Sequence, residues 1–123
     1  MKIYESAENY LETILMITNR NGSCRSIDIA NELGYSKPSV SVAMKNLREN
    51  GYIDVMGDGK IILLPPGKKI AENLFERHTI LTKCLVMLGV SPETAAEDAC
   101  KIEHILSQES FDAIIKAVEN NTK

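Results

Sequence analysis

Apolar residues recur at helical spacing along most of this chain, and strand-like alternation replaces that spacing between residues 51 and 65. The pattern predicts an amphipathic first helix over residues 5–18. Its apolar face comprises Ala7, Tyr10, Leu11, Ile14 and Thr18. Asn9 and Glu12 lie three residues apart on the opposite side of this helix, where the residues alone favour two solvated polar side chains.

Residues 26–50 contain two short helical patterns joined by a tight turn. The apolar face of the first comprises Ile27, Ala30 and Leu33. This helix ends at Gly34, because glycine is favoured just beyond a helix C-terminus. Ser36 then caps the second helix, and Pro38 lies in its first turn, where the missing N–H costs little. The apolar stripe of the second helix comprises Val40, Met44 and Leu47.

The opposite face of the second helix is small, hydroxylated and basic, and no carboxylate occurs from Lys37 to Arg48. Small side chains allow close approach to base edges in a major groove, and cations flank the phosphates. An ordinary helical hairpin on a surface is the alternative for this segment alone. The predicted DNA-binding residues are Ser36, Lys37, Pro38, Ser39, Ser41, Val42, Lys45, Arg48 and, from the hairpin that follows, Lys60.

Two segments rich in β-branched and apolar residues, 52–56 and 60–64, flank the sequence Gly57-Asp58-Gly59. This arrangement is typical of a β-hairpin. Three helices followed directly by a hairpin predict a winged helix, with the hairpin tip beside the DNA backbone or minor groove. A plain hairpin packed on helices is the alternative.

A long helix is predicted over residues 68–88, and it is apolar on two sides. Its first face comprises Leu74, His78, Leu81, Leu85 and Leu88, and its second comprises Ile80, Cys84 and Met87. A helix that is apolar on two sides must be covered on both. The rest of the chain is too short to do this, so we predict a homodimer.

Two more helices complete the predicted fold. Ser91 caps the first of them, which runs to about residue 106. Its buried stripe comprises Ala95, Ala99, Ile102 and Leu106, and the apolar face of the last helix comprises Phe111, Ile114, Ile115 and Val118. The predicted fold is therefore mainly α, with a winged helix-turn-helix DNA-binding domain over residues 1–69 and a helical dimerisation and metal-binding domain over residues 70–123.

Composition places this chain among globular proteins of the cytoplasm. It has 123 residues, of which 44% are hydrophobic and 25% charged. No apolar run reaches membrane-spanning length, no signal peptide opens the chain, and three widely separated cysteines argue against a disulfide framework. The net charge of −3 means that DNA affinity must come from local basic patches, and it leaves room for a divalent cation.

Three residues with metal-binding side chains follow one another at helical spacing. Cys100, Glu103 and His104 stand at i, i+3 and i+4 and so share one helical face, away from the predicted buried stripe. Thiolate, carboxylate and imidazole together make half of a transition-metal site, and His78 on the preceding helix can join them. The alternatives are a core histidine at position 78 and a solvated polar edge at residues 103–104. No hydrolytic or phosphate-loop motif occurs, so an enzyme is not expected.

The chain resembles the diphtheria-toxin-repressor family of iron- and manganese-dependent transcriptional repressors, in a short two-domain form. The segments that carry the resemblance are Glu8–Glu12, Asp28–Ala30, Pro38–Ser41, Gly67–Lys69, Arg77-His78 and Ala99–His104. It implies a dimeric repressor of metal homeostasis genes. It also implies that metal is held between the two domains and fixes them in the arrangement that binds double-stranded operator DNA.

The resemblance also implies a set of metal ligands, which are Asn9, Glu12, His78, Cys100, Glu103 and His104. The set is a hybrid, because Cys100 matches the iron-type members and Glu12 matches the manganese-type members. Asn9 departs from both. Fe²⁺ is the first expectation for the metal, since thiolate favours it over Mn²⁺, and Mn²⁺ is the second.

Three other functions are alternatives to this interpretation. A winged-helix regulator that has lost metal control and answers to another ligand or partner is the closest, and Asn9 is its best support. A small zinc hydrolase would need a dedicated catalytic base, which the sequence does not offer. A protein-interaction module using the exposed face around Val42 would bind with weak salt dependence, unlike a DNA-binding protein.

Overall fold

The computed structural model describes residues 5–121, and these residues form six helices and one two-stranded sheet. The elements are α1 (Glu5–Asn21), α2 (Ser26–Leu33), α3 (Lys37–Glu49), β1 (Ile53–Val55), β2 (Ile61–Leu63), α4 (Pro65–Met87), α5 (Pro92–Ile102) and α6 (Gln108–Asn121). The predicted fold, mainly α with a winged helix at the N-terminal end, is confirmed. The chain divides into two compact units, and the first ends at Asn73.

The core of the first unit is built from one face of each of its helices and from the inner residues of the hairpin. Its buried members are Tyr10, Leu11, Ile14, Ile17, Cys24, Ile29, Ala30, Val40, Met44, Leu47, Ile53, Ile61 and Ala71. The predicted stripe of α3 is thus confirmed. The prediction for α2 is wrong at Ile27, which is 40% exposed, because this residue lies in the first turn and Ile29 faces the core instead.

The turn between α2 and α3 has the predicted capping residues. Gly34 adopts a left-handed conformation with φ of 70° and its amide donates to the Ala30 carbonyl. The Ser36 hydroxyl oxygen accepts a hydrogen bond from the Ser39 amide at 3.3 Å, which caps α3. These local contacts end one helix and begin the next, with three residues between the end of α2 and the start of α3.

The wing is a short antiparallel hairpin that is attached to the loop before α2. Its register pairs Ile53 with Leu63 and Val55 with Ile61. The Ile61 amide donates to the Cys24 carbonyl at 2.7 Å, so β2 is hydrogen-bonded to the loop as well as to β1.

The first turn of α4 passes very close to the base of the wing. A Cβ atom added at Gly67 would lie 2.2 Å from the carbonyl oxygen of Tyr52. The long helix begins at Pro65, three residues before the predicted start, because proline is tolerated in the first turn of a helix. Glycine is required at position 67 because no side chain fits between the two backbones.

The second unit packs the C-terminal part of α4 with α5 and α6. Its buried apolar residues are Leu74, Leu81, Ala95, Ala99, Phe111 and Val118. Two predictions are wrong here. Helix α5 ends at Ile102 rather than near Leu106, because the chain turns where the Ile105 amide donates back to the Ile102 carbonyl. Leu88, placed on the buried face of α4, is 77% exposed because α4 ends at Met87.

Within residues 5–121, every helix is too short or too polar to span a bilayer.

Candidate metal centre and nucleic-acid interface

The Glu103 side chain is fully buried and lies between two histidine rings. Its Oε2 atom is 3.1 Å from Nδ1 of His78, and its Oε1 atom is 3.6 Å from Nε2 of His104. Glu103 occupies the C-cap position of α5, whereas His78 projects from α4 and is half-buried. Two of the predicted ligands are thus brought to the same carboxylate from different parts of the second unit.

The electrostatics of this group indicate a site for a cation. A buried carboxylate is costly unless it is compensated. The hydrogen bond to Glu103 raises the pKa of His78, the charge of Glu103 adds to this, and burial of the ring opposes it. Oε1 of Glu103 is buried and accepts no hydrogen bond from residues 5–121. A carboxylate with two imidazoles is a donor set that transition metals accept, so these residues fit a divalent metal.

The Cys100 thiol lies in an exposed part of α5, unlike the buried Glu103. The prediction that Cys100, Glu103 and His104 share one face of a continuous helix is wrong in one respect, because α5 ends at Ile102 and His104 lies in the turn beyond it. The three cysteines, all within the described part of the chain, form no disulfide. Burial, with a smaller effect of Asp28, raises the pKa of the Cys24 thiol to about 12.

The two predicted ligands on α1 differ in burial. Glu12 is 5% exposed, so the interpretation of a solvated side chain is wrong for this residue. Asn9 is half-buried. In residues 5–121, Glu12 and Glu103 are the two buried carboxylates, and every other aspartate or glutamate is partly or fully exposed.

Arg77 is a residue of this region that the sequence reasoning did not place among the site residues. It is 8% exposed, and its Nη1 donates to the carbonyl oxygen of Glu103 at 3.2 Å. The motif Arg77-His78 is part of the family resemblance, but the residue pattern of α4 contains no signal for a contact 26 positions further along the chain.

The predicted DNA-binding residues of α3 lie on its exposed face. They are Ser36, Lys37, Pro38, Ser39, Ser41, Val42, Lys45 and Arg48, and all are exposed, as is Lys60 in the wing. The apolar side chain of Val42 is 61% exposed. An exposed apolar residue amid hydroxyls and cations suits contact with thymine methyl groups.

Two of the predicted phosphate contacts lie beside carboxylates of the wing. Nε of Arg48 is 3.5 Å from Asp54, and Nζ of Lys60 is 3.7 Å from Asp58. The Lys60 amide donates to Asp58, and this bond is the main reason that the pKa of Asp58 is lowered. Arg25 also reaches the wing tip, where its Nε donates to the Asp58 carbonyl at 3.2 Å.

Two protein-family models match the chain. The first, the N-terminal DNA-binding domain of the iron-dependent repressor, covers residues 2–61. The second, the metal-binding and dimerisation domain of the iron-dependent repressor, covers residues 65–123. Together they cover both units of the structure.

Relatives with known names are similar over most of the chain. The transcriptional regulator MntR of Salmonella typhimurium is 39% identical over 111 residues, which are 90% of this chain and 71% of that protein. The HTH-type transcriptional regulator MntR of Bacillus pumilus is 37% identical over 109 residues, which are 89% of this chain and 76% of that protein.

Solved structures have the same fold. The IdeR protein of T. acidophilum superposes with a TM-score of 0.82 at 24% identity, over 97% of this chain and 55% of that one. A manganese-dependent transcriptional repressor in complex with manganese superposes with a TM-score of 0.81 at 25% identity, over 92% of this chain and 52% of that one. The chain therefore spans about half the length of these solved structures.

Proposed function

Because the chain belongs to the iron-dependent repressor family, also called the diphtheria-toxin-repressor family, we propose that a divalent metal bound through His78, Glu103 and His104 activates it for operator DNA. As a member of this family it is a metal-dependent transcriptional repressor and not an enzyme. The observation that carries the metal site is the buried Glu103 carboxylate between two imidazoles.

The proposed ligand set extends beyond these three residues to Asn9, Glu12 and Cys100. Burial of Glu12 supports its inclusion, since a buried carboxylate gains from a nearby cation. Cys100 precedes Glu103 by three positions, and its thiolate would add a soft ligand. Asn9 would add a neutral amide oxygen.

The donor chemistry favours Fe²⁺ as the physiological metal if Cys100 is a ligand, because thiolates select softer ions than Mn²⁺. Mn²⁺ is the second candidate. It is favoured by one solved relative that is a manganese-dependent repressor with manganese bound, at 25% identity. If Cys100, which is exposed, is not a ligand, the remaining oxygen and nitrogen donors would suit Mn²⁺.

In this proposal, the protein is a cytoplasmic homodimer that binds double-stranded DNA. Residues 1–69 read the operator through the exposed face of α3 and the wing, and residues 70–123 dimerise and bind metal. Two copies read two half-sites together, which compensates for the small basic surface of each copy. The target genes would be those of metal homeostasis.

The proposed switch is a thermodynamic linkage. Metal binds the DNA-competent arrangement of the protein more tightly than other arrangements and so increases its population. By reciprocity, operator DNA raises the affinity for metal by the same factor. Glu12 is the proposed connection, because it lies on α1, a helix of the unit that reads DNA.

The test is an operator-binding titration under anaerobic conditions, with Fe²⁺, with Mn²⁺ and with a chelator. Glu103→Gln should abolish the metal response while leaving a folded dimer. Glu97→Gln, which changes an exposed carboxylate of the same helix, is the matched control and should respond like the wild type. Cys100→Ser should shift the preference from Fe²⁺ toward Mn²⁺. DNA binding that ignores both chelator and Glu103→Gln would favour a regulator controlled by another ligand.

A further inference from the structure

Arg77 is a buried cation whose partners are oxygen atoms at and beyond the end of α5. Its Nη1 donates to the carbonyl oxygen of Glu103 at 3.2 Å and to that of Leu106 at 2.5 Å. Its Nη2 donates to Oε1 of Gln108 at 3.2 Å, and the guanidinium carbon lies 5.2 Å from the centre of the Phe111 ring. One side chain of α4 therefore contacts the turn after α5 and the start of α6.

One carbonyl group held by Arg77 belongs to Glu103, the C-cap residue of α5, and the other belongs to Leu106, in the turn beyond the helix. The last carbonyls of an α-helix lack partners within the helix, and a positive charge is favourable at that end. Burial of an arginine is costly unless its donors are used. Here Nη1 and Nη2 donate three hydrogen bonds, to two carbonyls of the turn and to Gln108, whereas Nε of Arg77 has no partner within residues 5–121.

The turn that Arg77 holds is also the segment that carries two proposed metal ligands. The bonded carbonyls belong to Glu103 and Leu106, and His104 lies between them. The next residue of α4, His78, contacts the side chain of Glu103. Two consecutive residues of α4 thus hold the backbone and the carboxylate of the same ligand.

We propose that Arg77 is a positioning residue of the metal centre, which fixes the backbone of Glu103 and His104 in the orientation needed for metal binding. The inference rests on the proposed function, since it assumes that these two residues are ligands. Residues that orient metal ligands from outside the coordination sphere change affinity by about 10- to 100-fold when they are removed. Arg77 would orient the ligands through hydrogen bonds to main-chain carbonyl groups.

The test compares Arg77→Met with Phe111→Leu in the full-length protein. Methionine keeps much of the apolar stem but removes both carbonyl hydrogen bonds, whereas Phe111→Leu loosens the same packing and leaves those bonds in place. Affinity for Co²⁺ is measured by competition with a chromophoric chelator, and the stability of the metal-free protein is measured by urea unfolding. We expect Arg77→Met to weaken Co²⁺ binding by about 10- to 100-fold. Phe111→Leu should lower stability and leave the affinity near that of the wild type.

The absorption spectrum of bound Co²⁺ gives a second readout, because a merely structural role would not change it at saturation. Arg77→Met should alter the ligand-field bands, and Arg77→Lys should restore them in part. If Arg77→Met does not fold, Arg77→Lys is the variant to measure. Its affinity for Co²⁺ should also be below that of the wild type.

Wild-type affinity and spectrum in a folded Arg77 variant would overturn the inference, as would an equal loss of affinity in Phe111→Leu. These outcomes leave the proposed metal site intact if Glu103→Gln still abolishes Co²⁺ binding. Wild-type Co²⁺ binding by Glu103→Gln would overturn the proposed site and the role of Arg77 together.

Discussion

Gly67→Ala should destabilise the first unit, because the added methyl group has no space. Its carbon atom would lie 2.2 Å from the Tyr52 carbonyl oxygen, about 0.8 Å inside the 3.0 Å limit of real Cβ contacts. The position of the methyl group is fixed by the backbone and the carbonyl belongs to the backbone, so no rotation of a side chain relieves the clash. The same carbonyl accepts a hydrogen bond from the Leu64 amide at 3.0 Å, and moving it strains the base of the wing.

The size of the effect follows from three contributions. Forced backbone shifts cost about 1–3 kcal/mol, and a weakened hydrogen bond costs about 1 kcal/mol. Replacing glycine by alanine within a helix returns about 1 kcal/mol. The expected loss is therefore about 2 kcal/mol in the free energy of unfolding, or about 10 °C in Tm for a unit of this size.

Urea and thermal unfolding, followed by circular dichroism, measure this loss. Gly57→Ala is the matched control, because nothing lies within 4 Å of the added carbon and the residue has no positive φ. That variant should stay within about 0.5 kcal/mol of the wild type. Equal unfolding midpoints for the two variants would refute the close approach of α4 to Tyr52.

Two further predictions concern exposed and buried side chains. Lys45→Ala should weaken DNA binding to all sequences and reduce the salt slope by about one unit, because one phosphate contact is lost. Fluorescence anisotropy at several salt concentrations measures the slope, with Lys116→Ala as the control. An unchanged slope in Lys45→Ala would place Lys45 outside the interface. Cys24 should resist maleimide at pH 8, since it is buried with a pKa raised to about 12, whereas exposed Cys100 should react. Mass spectrometry of the labelled protein measures the extent of reaction at each cysteine. If Cys100 is a ligand, bound metal should slow its labelling. Equal labelling rates for Cys24 and Cys100 would contradict the structure.

Hydrophobic spacing was enough to predict the order of the elements, and local capping chemistry was enough to predict their ends at Gly34 and Ser36. The end of α5 was missed for a physical reason. Ile102 and Leu106 continue the helical spacing, but the chain turns where Arg77 takes up the carbonyls of Glu103 and Leu106. Contacts between residues so far apart in sequence leave no mark on local periodicity.

The candidate site was predictable only in part. The spacing of Glu103 and His104 indicated ligands on one stretch of chain, and the structure places His78 beside that carboxylate. Nothing in the pattern of α1 distinguished Glu12 from a solvated glutamate, because helical spacing alone put it on the polar side. Its burial depends on the folded chain, and the family resemblance supplied the expectation instead.

The attachment of the wing has a consequence for which operators fit. The Ile61 amide bonds to the Cys24 carbonyl, and Arg25 bonds to the carbonyl of Asp58, so the start of β2 and the wing tip are both anchored beside the start of α2. The distance from the wing to α3, the helix proposed to read DNA, is therefore fixed. Because the protein does not change this distance, the DNA duplex must deform to fit it. Sequences whose grooves deform at low energy should be preferred even at base pairs that no side chain touches.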